Sequence, residues 1–476
     1  MSKQTRSTRL VATCAALLTT LSTAVAAQQS SLPDAPASPL VAALAQDSPS
    51  STSFAGPPVS AARQNTTQPA GPALTLAQAE QKAVRNNPNV SVARLLALAQ
   101  AQVTREVRSA EMPAAIGNLT AVDAHENSRI TAGLLNNPSV YDRAAGGLTV
   151  SQLITDFGRT HNLVLSAEST AKAQLESERA TELDITLTVD QAFYQALTAQ
   201  AVLKVAQGTV AERQATADQV GALTKAKIRS DLDLSFADVQ LSQAQLLLLD
   251  AQSSAQAAMA TLNDVLGSEQ DQQYSLIDET NNNPPPAPGD PEAFVTAAFT
   301  ARPDLAAMND LFIAAHQFSN AERDLWLPTI SAIGAVGGTP VRADQIQSSW
   351  YCAAGANISI PVFNGFLYNA EARDAKLRAQ AAQENVRNLR DTIARDVRTA
   401  VLNAQTAYQR IAVTRQLLDQ SNFALDLATA RYKIGLSGIV EISEAQLNQT
   451  QAEIANTNAR YAYQTALAAV RYEVGQ

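Results

Sequence analysis

The sequence has few of the features that mark a compact enzyme or a helical membrane protein. Aromatic residues make up only 5% of the 476 residues, and such a composition favours long, closely packed helices over a thick mixed core. After the N-terminal leader, no stretch reaches the roughly 18 apolar residues that a transmembrane helix needs. Phosphate-binding loops, nucleophile elbows and zinc-binding helix pairs are also absent from the sequence. We therefore expect no enzyme activity, no cofactor and no bound metal.

Cysteine is nearly absent. Of the two cysteines, Cys14 lies in an N-terminal segment with a basic start, an apolar run and a small-residue cleavage site, which predicts a signal peptide over residues 1–27. Thr13 precedes Cys14 and most of the apolar run follows it, so we expect an ordinary signal residue rather than a lipid-attachment site. Cleavage leaves Cys352 alone, which excludes an internal disulfide.

Charge and proline content bound the next part of the chain. The net charge of −9 includes three signal-peptide cations, so the mature chain carries −12. This acidic balance argues against a nucleic-acid partner. Residues 28–73 contain eight prolines and three charged residues, a composition that predicts a disordered or extended linker. We expect the folded part to begin near Leu74.

The rest of the sequence repeats itself. "NNPNV" at Asn86–Val90 resembles "ARPDL" at Ala301–Leu305 with the prolines 215 positions apart, and Pro113 and Pro328 keep that offset. Further along, "KAKIRSDLDLSFADVQLSQAQ" resembles "RYKIGLSGIVEISEAQLNQTQ" at an offset of 206. This pattern predicts a tandem duplication of large units. We place the copies at residues 74–280 and 292–476, with a proline-rich connector at 281–291.

Each copy is predicted to contain the same parts in the same order. These are one helix (about Leu74 to Ser109, or Pro291 to Leu325), two strands, a very long helix, a bend and a shorter return helix. The strand pairs fall at about 114–154 and 328–362, and the bends at 228–232 and 434–438. In the strands, apolar and polar residues alternate, as in "GLTVS" and "ANISI", which predicts two-faced strands.

The long helices set the scale of the fold. Neither Arg159 to Ile228 nor Phe366 to Ile434 contains proline, and each would span about 100 Å. The second carries apolar residues at alternating spacings of three and four, the seam of a coiled coil. These positions are Val386, Leu389, Ile393, Val397, Ala400, Ala404, Ala407 and Ile411. Such helices need neighbours to cover their seams.

Four strands raise a closure problem. They cannot form a barrel alone, and an open sheet edge is excluded from lipid because its backbone groups would be unsatisfied. Either the strands lie in water, or several chains pool them. Trp350 and Tyr351 precede a strand and fit an aromatic interface belt, although packing against a loop is the alternative.

The ordered, duplicated set of motifs resembles the outer-membrane efflux proteins of the TolC type. The resemblance rests on the "P…strand…strand…FG" order, from "MPAAIG" to "ITDFG" and from "LPTISAIG" to "IPVFNG", together with the two helix-bend-helix segments. It implies a mainly α fold with a small transmembrane β part. A homotrimer would pool four strands per chain into a 12-stranded β-barrel, continued by an α-helical periplasmic tunnel.

The resemblance also implies a function. The protein would be the exit duct of a tripartite efflux or type I secretion system in the outer membrane. It would work with a periplasmic adaptor and an inner-membrane transporter of the RND or ABC class. A soluble periplasmic coiled-coil adaptor or scaffold is the alternative, since it would share the helical hairpins but not the barrel.

The bends would form the periplasmic entrance of such a duct. In the family, acidic residues after the second bend ring the entrance, and the matching positions are Glu441 and Glu444, with Ser235 and Asp238 as their first-repeat counterparts. Close like charges raise one another's pKa and attract cations, so we expect a cation-selective constriction. The alternative is a structural role, because acids in a first helical turn favour the macrodipole and Ser437 is a plausible N-cap.

The exposed bend residues would meet the adaptor. These residues are Ile228, Arg229 and Ser230 in the first bend, and Gly435, Leu436 and Ser437 in the second. Two departures from the family pattern affect this region. The ring positions hold glutamates where aspartates are common, and Arg229 occupies a bend position that is usually glycine. Ordinary turns are the alternative interpretation.

Overall fold

The computed structural model describes residues 71–123, 129–132, 135–139, 143–268, 272–279, 284–341 and 348–476. All of them belong to one compact unit, residues 68–476. The predicted signal peptide and residues 28–70 of the predicted linker lie outside the described residues, as do residues 281–283 of the connector.

The first repeat contains six strands and four helices among its described residues. They are β1 (Ala73–Leu74), α1 (Leu76–Asn86), α2 (Pro88–Arg108), β2 (Ala114–Val122), β3 (Arg129–Ala132), β4 (Leu135–Ser139), β5 (Arg143–Thr155), α3 (Arg159–Lys225), α4 (Asp231–Val265) and β6 (Ser275–Leu276). The short strands β1 and β6 pair in parallel, and β3 pairs with β4 as a separate two-stranded ribbon. The ribbon was not predicted from the sequence.

The second repeat contains two strands and four helices among its described residues. They are α5 (Pro291–Ala301), α6 (Pro303–Arg323), β7 (Thr329–Val341), β8 (Trp350–Ser359), α7 (Leu367–Lys433) and α8 (Ile439–Val474). Equivalent helices agree in length: α1 and α5 have 11 residues, α2 and α6 have 21, and α3 and α7 have 67. The two repeats therefore agree in the lengths of their opening helices and of their long helices.

The opening of each repeat corrects one prediction. The sequence analysis expected a single helix from Leu74 to Ser109, but the chain breaks at Asn87, whose side chain accepts a hydrogen bond from the Asn89 N–H at 2.9 Å. Pro88 follows at the first position of α2. Proline lacks an N–H and suits that position, so Asn-Pro starts a new helix instead of continuing the old one.

The main sheet has the antiparallel order β2-β5-β7-β8. Because paired residues share a face, the register places Leu148 of β5 beside Val336 of β7 and Gly117 of β2, whereas Thr149 lies beside Ala335 and Ile116. One face is thus mostly apolar and the other mostly small or polar. Strands β2 and β8 stand at the two ends of this order, and every residue of β8 is exposed.

Each strand of the main sheet is joined to one helix, and these helices pack side by side in the order of their strands. Near the sheet the packing sequence is α2-α3-α6-α7, and towards the bends it is α4-α3-α8-α7. Apolar clusters hold the order, one of them centred on Phe193 and Leu262 and another on Ile393, Val397 and Val401. Within the described parts of the chain, no helix is both long and apolar enough to cross a bilayer.

Candidate functional site at the two helix bends

The two bends have the same backbone. Lys227 and Gly435 both lie in the left-handed region, at φ 56° and 78°. The N–H of the next residue, Ile228 or Leu436, donates to the carbonyl of Leu223 or Arg431 at 2.9 Å. This is the pattern of a Schellman-type helix end, which satisfies carbonyls that the helix leaves open.

The equivalent residues of the bends are 208 positions apart. Lys227 corresponds to Gly435, and the N-caps Ser230 and Gly438 keep the same spacing. The sequence match at 206 therefore does not follow the helix positions. By position in the helix, Glu441 corresponds to Asp233 and Glu444 to Phe236, rather than to Ser235 and Asp238.

The starts of the return helices differ in chemistry. Ser230 and Asp233 form a capping box, with Ser230 Oγ accepting from the Asp233 N–H at 3.2 Å. Gly438 caps α8 without any side-chain hydrogen bond. Ser437, which the sequence suggested as an N-cap, precedes the cap, and its buried Oγ has no hydrogen-bond partner in the described structure. The first bend is thus capped by side chains and the second is not.

Arg229 joins the two bends. Its Nη2 donates to the Tyr432 carbonyl at 3.0 Å, and its guanidinium lies 4.2 Å from the centroid of the Tyr432 ring. Tyr432 is 4% exposed, and burial raises the pKa of its hydroxyl. Cation–π contacts of this kind contribute about 0.5–2 kcal/mol. Arg229 therefore does more than fill a turn, because it ties the first repeat to the second.

The predicted acidic pair lies on one exposed surface of the first turns of α8. Glu441 Oε1 lies 3.3 Å from Nε of Arg431 on α7, with both side chains more than two-fifths exposed. An ion pair this exposed contributes about 0–1 kcal/mol. Glu444 is exposed and has no ion pair within the described part of the chain. The two carboxylates therefore differ, since one is partly neutralised by its own chain.

The other predicted residues differ in exposure, since Ser230 and Gly435 are exposed whereas Arg229 and Ser437 are only partly exposed. Ser235 and Asp238 are exposed on α4, where the Ser235 hydroxyl donates to the Asp231 carbonyl at 3.1 Å. Ile228 and Leu436 are each 68% exposed, although neither is polar. Each bend therefore exposes an apolar side chain to solvent.

A buried polar network behind the bends was missed by the sequence analysis. Arg213 of α3 is 3% exposed. Its Nη1 lies 3.2 Å from Glu212 Oε1, and its Nη2 donates to Thr450 Oγ1 of α8 at 3.3 Å. Gln446 Nε2 of α8 donates to the same Glu212 oxygen at 3.0 Å. Burial lowers the pKa of Arg213, and Glu212 opposes this. The network therefore connects α3 and α8 across the repeat boundary.

The fold and the bends define a class of protein. Paired helical hairpins continue an amphipathic four-stranded sheet, and an unbroken 67-residue helix leads from the sheet to the bend in each repeat. This is the architecture of an outer-membrane channel-tunnel. The outer membrane efflux protein family model matches residues 79–268 and 295–476. The chain belongs to the outer membrane efflux protein family.

Known proteins agree with this assignment. The outer membrane efflux protein BepC of Brucella suis biovar 1 (strain 1330) is 23% identical over 402 residues, which cover 81% of this chain and 82% of BepC. The structure of the outer-membrane channel OprN superimposes with a TM-score of 0.74 at 20% identity, covering 84% of this chain and 89% of that one. A CusC structure gives 0.73 at 20% identity, covering 84% and 92%.

The family resemblance inferred from the motifs is thus confirmed. The protein is an outer-membrane efflux channel, located in the outer membrane and extending into the periplasm. The family is a class of transport channel and not a class of enzyme. The alternative of a soluble periplasmic adaptor or scaffold is not supported by these relationships.

Proposed function

We propose that three copies of this chain form one duct, with a 12-stranded barrel in the outer membrane and a helical tunnel across the periplasm. The observation that carries the proposal is the pair of open ends in the packing order. Strands β2 and β8 end the sheet, and α2 or α4 and α7 end the helical layer. In lipid an unpaired strand edge is excluded, so β8 of one copy pairs with β2 of the next.

The assembly state tests this proposal directly. Native mass spectrometry of the detergent-extracted mature protein should give a mass three times that of the chain. A monomer that stays soluble without detergent would contradict the proposal, since its strand edges would then be satisfied by water.

We also propose that the bends are the periplasmic mouth and that Glu441 and Glu444 form its acidic ring. Three-fold symmetry would bring six carboxylates together, and clustered carboxylates attract cations. The bend residues 228–230 and 435–437 would contact a periplasmic adaptor, which links the duct to an inner-membrane RND or ABC transporter. The transporter supplies the energy and the duct stays passive.

Single-channel recording in planar bilayers tests the acidic ring. The Glu441→Gln, Glu444→Gln variant should lose cation selectivity. Because Arg431 partly neutralises Glu441, Glu444→Gln alone should produce the larger part of the change. Asp250→Asn, at an exposed position of α4 well beyond its first turns, removes the same single charge as Glu444→Gln and serves as its control. If the double variant keeps the cation selectivity of the wild type, the proposal of an acidic ring is wrong.

A further inference from the structure

A groove between α6 and α7 lies close to the sheet. It has a volume of about 650 Å³, which is within the range of small-ligand sites. Its lining contains three fixed cations and several amides, but no carboxylate. The polar side chains that matter here are those of Asn320 and Arg323 on α6 and of Arg373, Lys376 and Gln380 on α7. In a chain with a net charge of −9, such a surface is a marked local excess of positive charge.

The carboxylates nearest to the groove are not part of its lining. On the α6 side, Glu322 pairs with Arg159 of α3 at 3.7 Å, and Asp324 accepts from Asn162 of α3 at 3.0 Å. On α7, Asp374 pairs along its own helix with Arg378 at 2.7 Å. Asp324 Oδ1 also lies 3.3 Å from Nη2 of Arg323, so Arg323 is partly neutralised and the free positive charge of the groove comes from α7.

The equivalent position in the first repeat holds a carboxylate that the groove lacks. At the helix offsets of 215 and 208, Arg323 corresponds to Arg108 and Lys376 to Glu168. In the first repeat Arg108 and Glu168 form an ion pair. In the second repeat the carboxylate position holds a lysine, and neither Lys376 nor Arg373 has an ion pair within the described residues. The change of sign therefore replaces the salt bridge of the first repeat with two cations on α7 that are unpaired in the described part of the chain, while Arg323 pairs with Asp324 instead.

The groove also lies at the level where the sheet ends. Arg323 precedes the first residue of β7, Thr329, by six positions. Trp326 and Tyr368 meet edge to face beside it, with ring centroids 5.7 Å apart. Aromatic residues are enriched at membrane–water interfaces, and basic pockets below them bind anionic head groups.

We propose that this groove binds the phosphate of an anionic phospholipid from the periplasmic leaflet of the outer membrane. Arg323, Arg373 and Lys376 provide the charge, and the amides of Asn320 and Gln380 provide further donors. The inference rests on the proposed placement of the sheet in the membrane. Lipid binding and assembly are measured separately, so a failed lipid test with an intact trimer would overturn this inference alone.

The experiment uses the full mature protein, delipidated in dodecyl maltoside. Melting temperature is followed while dioleoylphosphatidylglycerol or dioleoylphosphatidylcholine is added, and native mass spectrometry counts the retained lipids. A ligand that binds only the folded state raises the melting temperature in a saturable way. We expect saturation with phosphatidylglycerol and none with phosphatidylcholine.

The variants locate the site. Arg373→Gln, Lys376→Gln should need roughly tenfold more phosphatidylglycerol or worse, since each basic residue contributes about 1 kcal/mol of attraction. Lys376→Glu, which recreates the first-repeat pair with Arg323, should also lose the effect. Arg387→Gln, Arg395→Gln removes the same charge from exposed positions of the same helix outside the groove and should behave like the wild type. The charge-preserving Arg373→Lys, Lys376→Arg should keep binding.

Two outcomes would overturn the proposal. The first is undiminished phosphatidylglycerol binding by the Arg373→Gln, Lys376→Gln variant. The second is displacement of the lipid by millimolar inorganic phosphate, which would mean that the groove takes soluble anions from the water-filled tunnel. All these substitutions are at exposed positions, where folding effects are small, and circular dichroism checks that the helices are retained.

Discussion

The two repeats build the same backbone from different side chains. At the 208-residue offset their long helices bury the same positions, namely Val189 with Val397, Ala196 with Ala404, Arg213 with Ser421, and Val220 with Ala428. The bends follow the same path although one has Lys227 and a capping box and the other has two glycines. Packing along the helices, rather than the chemistry of each turn, therefore sets where the chain reverses.

Charge is where the repeats have diverged. The first repeat buries ionisable groups: Arg213 is 3% exposed and Asp190 is 4% exposed. Their second-repeat equivalents are Ser421, which is uncharged, and Arg398, which is half-exposed and pairs with Glu292. The long helix of the first repeat therefore buries charged groups at positions where the long helix of the second does not, and substitutions at equivalent positions can test this asymmetry.

The largest effect is expected at the Arg213 network. Glu212→Ala removes the only carboxylate paired with Arg213 in the described structure and leaves Gln446 without its main acceptor. Breaking a buried pair costs about 3–5 kcal/mol, and because Glu212 is 40% exposed we expect about 2–3 kcal/mol. Gln420→Ala, at the equivalent exposed position of α7, should be nearly neutral. Equal thermal stability of the two variants in detergent would contradict the asymmetry.

The next effect is a pH dependence at Asp190. Burial, reinforced by Glu80 of α1, raises the pKa of Asp190 from 3.8 to about 7, while Arg471 of α8 opposes this. The folded chain then binds more protons than the unfolded chain between these values. Stability from this group is thus present at low pH and is lost as pH rises towards 7.

Asp190→Asn should remove the loss of folding stability that accompanies the rise in pH. We expect on the order of 2 kcal/mol more stability than the wild type at pH 8 and little difference at pH 4. Arg398→Gln, at the equivalent position of α7, should keep the wild-type slope. Unfolding curves at a series of pH values give the measurement, and parallel slopes for Asp190→Asn and the wild type would refute the assignment.

The smallest effect concerns the left-handed bend residues. Gly435→Ala should cost about 1 kcal/mol, because an L side chain is strained at φ 78° although no atom lies within 4 Å of the added Cβ. Lys227→Gly at the equivalent position should stabilise by up to about 1 kcal/mol. Chemical denaturation compares the two. Effects of the same sign would show that the bends are not equivalent.

Much of this fold could be predicted from the sequence, and the failures have identifiable causes. Prolines marked the 215-residue offset because proline fixes where a helix begins, and the strand alternation fixed the two faces of the sheet. The 206-residue offset of the bends was wrong because it aligned identical residues. The structure aligns the helix caps, which are 208 residues apart. Contacts between distant segments, such as Arg229 with Tyr432 or Arg213 with Thr450, leave no local pattern, so sequence reasoning could not find them.

The equal length of α3 and α7 has a consequence for how such a duct can change. At about 1.5 Å per residue, losing one heptad from a single helix would retract its tip by about 10 Å. In the proposed trimer, three of the six helix tips would then end about 10 Å short of the other three. On that proposal, a deletion in one long helix would keep the six tips level only if the other long helix lost the same length.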